Sequence, residues 1–390
     1  LPDFLEDMVG LRIKEAMNKR PLIGVSPYKT VRCATDVLQR YHYSLQQLPF
    51  CGRIEEMNQL RNFLDKDQKF LWWAITGQAG AGKSRLALEF LKRSTGSWFG
   101  FFINDKATQE DFDSFEPFNN TVIVIDYVAG REGFVANAIR SIKEKFENVD
   151  YKVRILLLER ENSRNASSWY YKLIQRIGKY DSYDLKSTEY ENYFLNLGDL
   201  DKASVEILIK EVMNQRGIEA ADTVAYELCE AYGKKYEKLQ FRPLFVQIFV
   251  EAWIENDFQL PRYDKFEELL QRLLEREQER WLEILDNDQV CCNAFIRLLL
   301  RANISGKLQP DNMPSYYQDD WYIVNSFLQN HSFPGKQREE EKKAIFATIC
   351  QNLNENSVEI EPLYPDLIKE YMFCFYMDDS RLPGVLNELW

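Results

Sequence analysis

The residues best suited to chemistry stand in one run of eight, in which glycines precede a lysine and a hydroxyl side chain: Gly77, Gln78, Ala79, Gly80, Ala81, Gly82, Lys83 and Ser84. Their spacing is the G-x-x-x-x-G-K-[ST] pattern of a phosphate-binding loop (P-loop). Glycines let such a loop turn its backbone N–H groups towards clustered negative charge at a helix N-terminus. Lys83 is then placed to reach the β- and γ-phosphates, and the Ser84 hydroxyl to coordinate Mg²⁺. The run therefore predicts a nucleotide site.

The carboxylate that such a site needs is supplied by Asp126, which ends the apolar run 121–126. Four consecutive branched aliphatic residues in this run are typical of a buried parallel strand. The carboxyl ends of parallel strands meet at one edge of the sheet, where ligands bind. We therefore expect Asp126 to hold Mg²⁺ beside Ser84. The alternative is an Asp that only begins the next turn.

Arg160 follows a third apolar run, 153–158, and is the candidate sensor of the γ-phosphate. A guanidinium at the edge of a parallel sheet can reach a phosphate oxygen. The alternative is an exposed ion pair with Glu159 or Glu161.

The elements that must position these residues follow from the hydrophobic pattern. Apolar runs predict strands at 70–76, 98–103, 121–126, 153–158 and 192–197, and amphipathic segments separate them. The P-loop follows the first strand and precedes a helical pattern, as its chemistry requires. We predict an α/β fold: the parallel sheet of a P-loop NTPase with helices on both faces.

The strand signal ends near residue 198, and helical patterns follow. Asp201 or Ser204 can cap a helix that runs to about Arg216, with further helices at about 220–233, 243–256 and 264–285. We divide the chain into a helical preface or linker (1–48), a nucleotide-binding domain (49–198), a helical domain (199–288) and a last mixed domain (289–390).

Composition argues against several classes of function. A net charge of −12 disfavours direct nucleic-acid binding, because the surface that binds nucleic acid is normally basic. Seven cysteines without a C-x-x-C pair are typical of thiols in a reducing compartment, so we expect a cytoplasmic protein. Two distant histidines disfavour a zinc site, and no apolar run has the length of a membrane span.

Five segments in chain order resemble motifs of the bacterial STAND class of signalling ATPases, relatives of the NB-ARC and NACHT (NLR-like) regulators. Residues 50–57 resemble the F-x-G-R entry, 126–131 the DYAEGR segment, 156–160 with Trp169 the LLLAR…WW strand and helix, 242–244 the G-x-P element, and 361–371 the EPDLLGEY signature. Each segment alone is weakly specific, and their order carries the resemblance from Phe50 to about Met377.

The resemblance implies an ATP- or ADP-binding module with Mg²⁺, in which residues 199–288 form a lid and 289–390 a winged-helix domain. It implies that the chain at Arg53 passes the adenine and that Pro243 packs against it. Lack of the N-K-x-D element of guanine-specific sites also makes adenine the default. The predicted nucleotide contacts are Arg53, the eight residues of the P-loop, Arg85 and Pro243.

Two departures from the family pattern concern hydrolysis and the winged helix. Tyr127 stands where many hydrolytic P-loop ATPases have Glu, and Ala129 where this bacterial branch has Glu. Glu132 is near enough in sequence to orient a water instead. The predicted catalytic residues are thus Lys83, Asp126, Arg160 and Glu132, with turnover slow or dependent on a trigger. The Met-His-Asp triplet of the eukaryotic relatives is missing, and His331 is not assigned its role.

The resemblance implies a switch that changes conformation between ADP and ATP, oligomerises on activation, and serves antiphage defence or regulation. Such modules act with an N-terminal effector and a C-terminal sensor or partner protein. Two alternatives remain: a remodelling ATPase of the AAA+ type, and a nucleotide-binding scaffold that does not hydrolyse.

Overall fold

The structure is a computed structural model that describes residues 24–25, 41, 43, 46, 48–94, 96–103, 107–181, 184–191, 193–219, 221–236, 241–262, 265–305, 308, 318–330, 363 and 366–376. Three predictions lie wholly or partly outside these residues: most of the preface (1–48), His331, and residues 361–362 and 364–365 of the signature at 361–371. The chain forms two compact units. The first contains Gly24, Val25 and residues 50–204, and the second contains the described residues of 41–49 and those from Val205 onwards.

The first unit is built on one six-stranded sheet. Its strands are β1 (Gly24–Val25), β2 (Phe70–Thr76), β3 (Phe99–Ile103), β4 (Thr121–Asp126), β5 (Val153–Glu159) and β6 (Leu195–Asn196). The order across the sheet is β1-β3-β4-β5-β2-β6; β2 to β6 are parallel and β1 is antiparallel to β3. Because β5 lies between β2 and β4, the strand before the P-loop and the strand that ends in Asp126 are not neighbours.

The helices of this unit cover both faces of the sheet. They are α1 (Ile54–Asp65), α2 (Lys83–Arg93), α3 (Gln109–Ser114), α4 (Glu132–Glu147), α5 (Trp169–Asp181) and the short α6 (Asp184–Ser187). On one face, residues of α3, α4 and α5 share a core with Trp72. On the other, Trp73 packs against Phe63 of α1 with ring centroids 5.8 Å apart. The predicted α/β class, a parallel sheet with helices on both faces, is confirmed.

Burial on both faces explains why the central strands are continuously apolar. All seven residues of β2 and all seven of β5 are buried. Parallel strands that are covered by helices on both sides have no solvent-facing side, so they show little alternation of polar and apolar residues. Their ends are the places where polar side chains gather.

Arg154 is a charged residue within the apolar run of β5, and it is fully buried there. Its guanidinium donates hydrogen bonds to backbone carbonyl oxygens near the end of α1, among them those of Phe63 (2.8 Å), Leu64 (3.2 Å) and Lys66 (2.6 Å). The guanidinium therefore caps α1 and attaches it to the sheet.

The second unit is helical in the residues that the structure describes. Its helices are α7 (Lys202–Gln215), which begins at the end of the first unit, α8 (Asp222–Lys235), α9 (Pro243–Glu255), α10 (Phe266–Ile284), α11 (Gln289–Ser305), α12 (Gln318–Asn330) and α13 (Asp366–Tyr376). The Tyr371 hydroxyl donates to the Glu267 carbonyl (2.7 Å), and the Leu363 N–H to the Asn303 side chain (2.8 Å). These bonds attach part of the C-terminal signature to α10 and α11.

The adjacent thiols of Cys291 and Cys292 are buried in α11. Burial raises the pKa of Cys291 to about 12 and that of Cys292 to about 11, so both stay protonated at neutral pH. None of the helices in the described ranges combines the length and the apolar character needed to cross a membrane.

Candidate functional site

The P-loop joins the end of β2 to the start of α2. Gly80 (φ 80°) and Gly82 (φ 92°) occupy the left-handed region, where a side chain would be strained. The first helical hydrogen bond runs from the Leu86 N–H to the Gly82 carbonyl (2.8 Å). The N–H groups at positions 83–85 precede that bond, at the end of the helix where N–H groups point outwards along its axis. This is the arrangement that binds anions at helix N-termini.

Lys83 lies over the same loop. Its ammonium donates to the carbonyl oxygens of Gly77 (2.7 Å) and Gln78 (3.4 Å). The Ala81 N–H donates to the Gln78 carbonyl (3.1 Å) and closes the turn. The loop thus gathers one cation and several backbone donors in eight residues, which suits the oxygens of a di- or triphosphate. With the parallel sheet, this strand, loop and helix form a P-loop NTPase fold.

Ser84 and Asp126 meet at the carboxyl edge of the sheet. The Ser84 hydroxyl donates to the Asp126 carboxylate over 2.7 Å, and the Tyr127 N–H donates to the other carboxylate oxygen over 3.0 Å. A hydroxyl and a carboxylate oxygen are ligands that Mg²⁺ accepts together with water and phosphate. In the described parts of the chain, no three His, Cys, Asp or Glu side chains form a metal-binding group. The pair therefore fits Mg²⁺ delivered with a phosphate, because that ion needs few protein ligands.

Glu159 is a further residue of this site, although its place in the sequence suggests only an ion pair with Arg160. It ends β5, is 7% exposed, and accepts the Ala129 and Arg160 N–H groups, one on each carboxylate oxygen, both at 2.7 Å. Its carbonyl accepts the Gly77 N–H over 3.2 Å. The sequence did contain a signal for this role of Glu159, because its carboxylate stands at the end of a predicted buried strand and directly before Arg160.

Arg160 and Glu132 follow the carboxyl ends of β5 and β4, respectively. Arg160 is half-buried immediately after β5. Glu132 is the first residue of α4, and its carboxylate accepts the Gly130 N–H (3.1 Å). Tyr127, beside Asp126, has φ of 57° and a side chain that is 45% exposed. A bulky residue in this backbone region is strained.

Arg53 connects the P-loop to two other segments of the first unit. Its guanidinium donates to the carbonyl oxygens of Ala81 (3.2 Å), Gly198 (2.6 Å) and Asp199 (3.4 Å), and it pairs with Glu56 at 2.8 Å. Three backbone acceptors hold the buried guanidinium in one orientation. Arg53 therefore stabilises the P-loop through its hydrogen bond to the Ala81 carbonyl.

The remaining predicted contacts are Arg85 and Pro243. The Arg85 guanidinium lies 5.9 Å from the Phe50 ring centroid and 3.7 Å from the Glu89 carboxylate, and its burial lowers its pKa. Pro243 is in the second unit, where it is the first residue of α9. Both assignments stay predictions.

No protein-family model matches this chain, and no curated protein sequence matches it. Among solved structures, the chain is similar to a Walker-type ATPase of Pyrococcus abyssi, with 11% identity over 83% of this chain and 96% of that one, and a TM-score of 0.37. It is similar to the Orc1 protein of Aeropyrum pernix in complex with DNA, with 11% identity over 85% of this chain and 94% of that one and a TM-score of 0.35. It is also similar to a RuvB mutant of Thermotoga maritima, with 15% identity over 66% of this chain and 78% of that one and a TM-score of 0.34. Identities and TM-scores this low assign no activity, ligand or partner to the chain.

Proposed function

We propose that this chain binds ATP and ADP with Mg²⁺ at the edge formed by the P-loop, Asp126 and Arg160. The observation that carries the proposal is the contact between the Ser84 hydroxyl and the Asp126 carboxylate, 2.7 Å apart at the N-terminus of α2. The two groups come from separate strand–loop units, and their contact puts a hydroxyl and a carboxylate side by side, the pair that would hold the Mg²⁺ of a bound nucleotide.

Each residue then has a separate task. Lys83 and the N–H groups that begin α2 bind the phosphate oxygens. Ser84 and Asp126 hold Mg²⁺, which when bound neutralises the charge shared by the β- and γ-phosphates. Arg160, at the end of the strand between β2 and β4, is the group proposed to distinguish ATP from ADP.

Calorimetric titration with ADP and ATP tests this assignment. Lys83→Ala removes the only side-chain cation within the eight-residue loop, so we expect nucleotide affinity to fall at least tenfold, about 1.4 kcal/mol. The matched control is Lys172→Ala, the same change at an exposed position of α5. Affinity retained in Lys83→Ala would contradict the proposal. Competition between ATP and GTP in the same titration tests the preference for adenine.

The finer function that we propose is a STAND-type signalling switch. The motif order in the sequence supports it, and so do the helices that follow the α/β unit. ADP holds the inactive form, while ATP and a trigger favour a form that oligomerises and engages an effector, a role suited to antiphage defence. The Orc1 and RuvB similarities carry no argument for a DNA-bound role.

Hydrolysis by the chain alone is expected to be slow. Tyr127 offers no carboxylate beside Asp126, and the nearby carboxylates of Glu132 and Glu159 accept backbone N–H groups. The position directly after Asp126 therefore supplies no carboxylate to orient a water. Steady-state phosphate release measures this. Rapid turnover that is lost in Glu132→Gln would identify Glu132 as the base and favour the remodelling-ATPase alternative, whereas complete absence of turnover under all triggers would favour the scaffold.

A further inference from the structure

Glu159 ends the strand that separates the P-loop strand from the strand of Asp126. We propose that Glu159 is a positioning residue, whose carboxylate sets the loop 127–130 in the conformation that lets Asp126 receive Mg²⁺. The inference rests on the proposed function, and it assigns a role to a residue that neither the P-loop pattern nor the Asp126 strand includes.

The hydrogen bonds of Glu159 connect three segments of the site. One carboxylate oxygen accepts the N–H of Ala129, in the loop after β4, and the other accepts the N–H of Arg160. The main-chain carbonyl accepts the N–H of Gly77, the first residue of the P-loop. One residue therefore connects the P-loop, the loop that follows Asp126 and the segment after β5 that begins with Arg160.

The strength of these bonds follows from their setting. Hydrogen bonds from backbone N–H groups to an ionised carboxylate are charge-assisted, and both carboxylate bonds are 2.7 Å long. A carboxylate that is 7% exposed is costly to bury unless such donors satisfy it. The side chain is consequently held in one position, and the Ala129 N–H is held with it.

The position of Ala129 matters because the loop it belongs to aims Asp126. The Tyr127 N–H donates to one Asp126 oxygen (3.0 Å), and the other oxygen meets the Ser84 hydroxyl. Tyr127 keeps its unfavourable φ of 57° only while the neighbouring structure enforces it. If the bond to Ala129 is lost, the loop can relax, and Asp126 loses its fixed orientation towards Ser84.

This arrangement separates two properties of the site. The P-loop itself, with Lys83 and the start of α2, binds phosphate without help from Glu159's carboxylate. The Mg²⁺ ligand Asp126 does depend on it. Loss of the carboxylate should therefore weaken the contribution of Mg²⁺ to nucleotide binding and leave metal-free binding unchanged.

The test is calorimetric titration of ADP in buffer with Mg²⁺ and in buffer with EDTA, for the wild type, Glu159→Ala, Glu159→Gln and the control Glu161→Gln. Glu161 is an exposed neighbour whose loss leaves these bonds intact. We expect the gain in affinity that Mg²⁺ gives the wild type to fall about tenfold in Glu159→Ala, with affinity in EDTA unchanged. Glu159→Gln keeps one acceptor oxygen and should show a smaller loss, and it serves as the second variant if Glu159→Ala does not fold.

Three results would overturn the inference. If Mg²⁺ increases ADP affinity as much in both Glu159 variants as in the wild type, the loop 127–130 does not need the Glu159 carboxylate. Equal losses in Mg²⁺ and in EDTA would indicate damage to the P-loop. Abolished turnover in Glu159→Gln with an intact Mg²⁺ effect would make Glu159 the general base instead. A wild type that binds no nucleotide in either buffer would overturn the proposed function itself, a different outcome from these three.

Discussion

Arg154 shows how a single charged residue can serve the fold at a distance from the chemistry. It lies in β5 like Glu159, but near the opposite end of that strand. The guanidinium is enclosed by backbone carbonyl groups and stands 5.7 Å from the Phe63 ring centroid and 5.4 Å from that of Trp98. Burial lowers the pKa of Arg154 to about 10, so the group remains charged at neutral pH and its hydrogen bonds stay charge-assisted.

Arg154→Met should strongly destabilise the first unit. The change keeps an apolar chain of similar length but leaves several buried carbonyl groups without a donor, each worth on the order of 1 to 3 kcal/mol. We expect a loss of at least about 3 kcal/mol in the free energy of unfolding, measured by urea denaturation. Arg61→Met, on the exposed side of α1, is the matched control. A loss as small as that of the control would show that the carbonyl groups find other partners.

The identity of the residues predicted only some of the side chains that are important for the site and the fold. The P-loop and Asp126 could be predicted from sequence because their chemistry imposes a characteristic spacing of residue types. Arg154 and Glu159 were not, because a charged residue in an apolar run gives no sign of which distant carbonyl or N–H group will satisfy it. The carbonyl groups that accept from the Arg154 side chain lie as much as 91 positions away, and the Ala129 N–H that donates to the Glu159 carboxylate lies 30 positions away.

At the scale of elements, hydrophobic periodicity predicted where strands occur in the chain better than it predicted their lengths. It did not predict their order in the sheet. The strands predicted at 70–76 and 121–126 have those bounds in the structure, whereas among the described residues of the strand predicted at 192–197 the structure has a strand at Leu195–Asn196. Strand order was not predicted, since no local pattern shows that β5 separates β2 from β4. Gly24 and Val25, within the predicted preface, form β1 because the free edge of β3 accepts their backbone.

Asp201 is the N-cap of α7, one of the two candidates that the sequence offered. One carboxylate oxygen accepts the Ser204 N–H (2.8 Å) and the other the Ser204 hydroxyl (3.0 Å). These bonds favour the ionised form and lower the pKa of Asp201 below its ordinary value. Since the folded pKa is depressed, the stabilisation is present above the unfolded pKa of about 4 and is lost as pH falls through the folded pKa.

Asp201→Ala should therefore cost about 1 kcal/mol of stability near neutral pH, the usual value of an N-cap. The difference from wild type should shrink in acid, as protonation removes the same carboxylate from the wild type. Urea denaturation at a series of pH values measures both effects. Asp199→Ala, an exposed carboxyl two positions earlier, is the control. A penalty that does not vary with pH would mean that the charge of the cap contributes nothing.

For the whole molecule, the proposed switch requires that ATP and ADP favour different conformations or assemblies. Only a ligand with different affinities for two states can shift their populations, and the γ-phosphate is the sole chemical difference between these nucleotides. We expect small-angle scattering or gel filtration to differ between them. Arg160→Ala should reduce that difference while ADP binding stays near normal, and Arg262→Ala, an exposed arginine of the second unit, should not. Identical profiles in the wild type would favour the static scaffold.

The backbone at Tyr127 has a consequence for how this chain would respond to selection. A tyrosine with φ of 57° costs about 1 kcal/mol relative to a glycine in the same conformation. A library randomised at this codon and screened only for survival of heating should therefore enrich Gly and Asn. A screen for a nucleotide-dependent property should retain Tyr127 only if its ring serves that property. Enrichment at one position would thus separate strain that folding merely tolerates from strain that nucleotide handling requires.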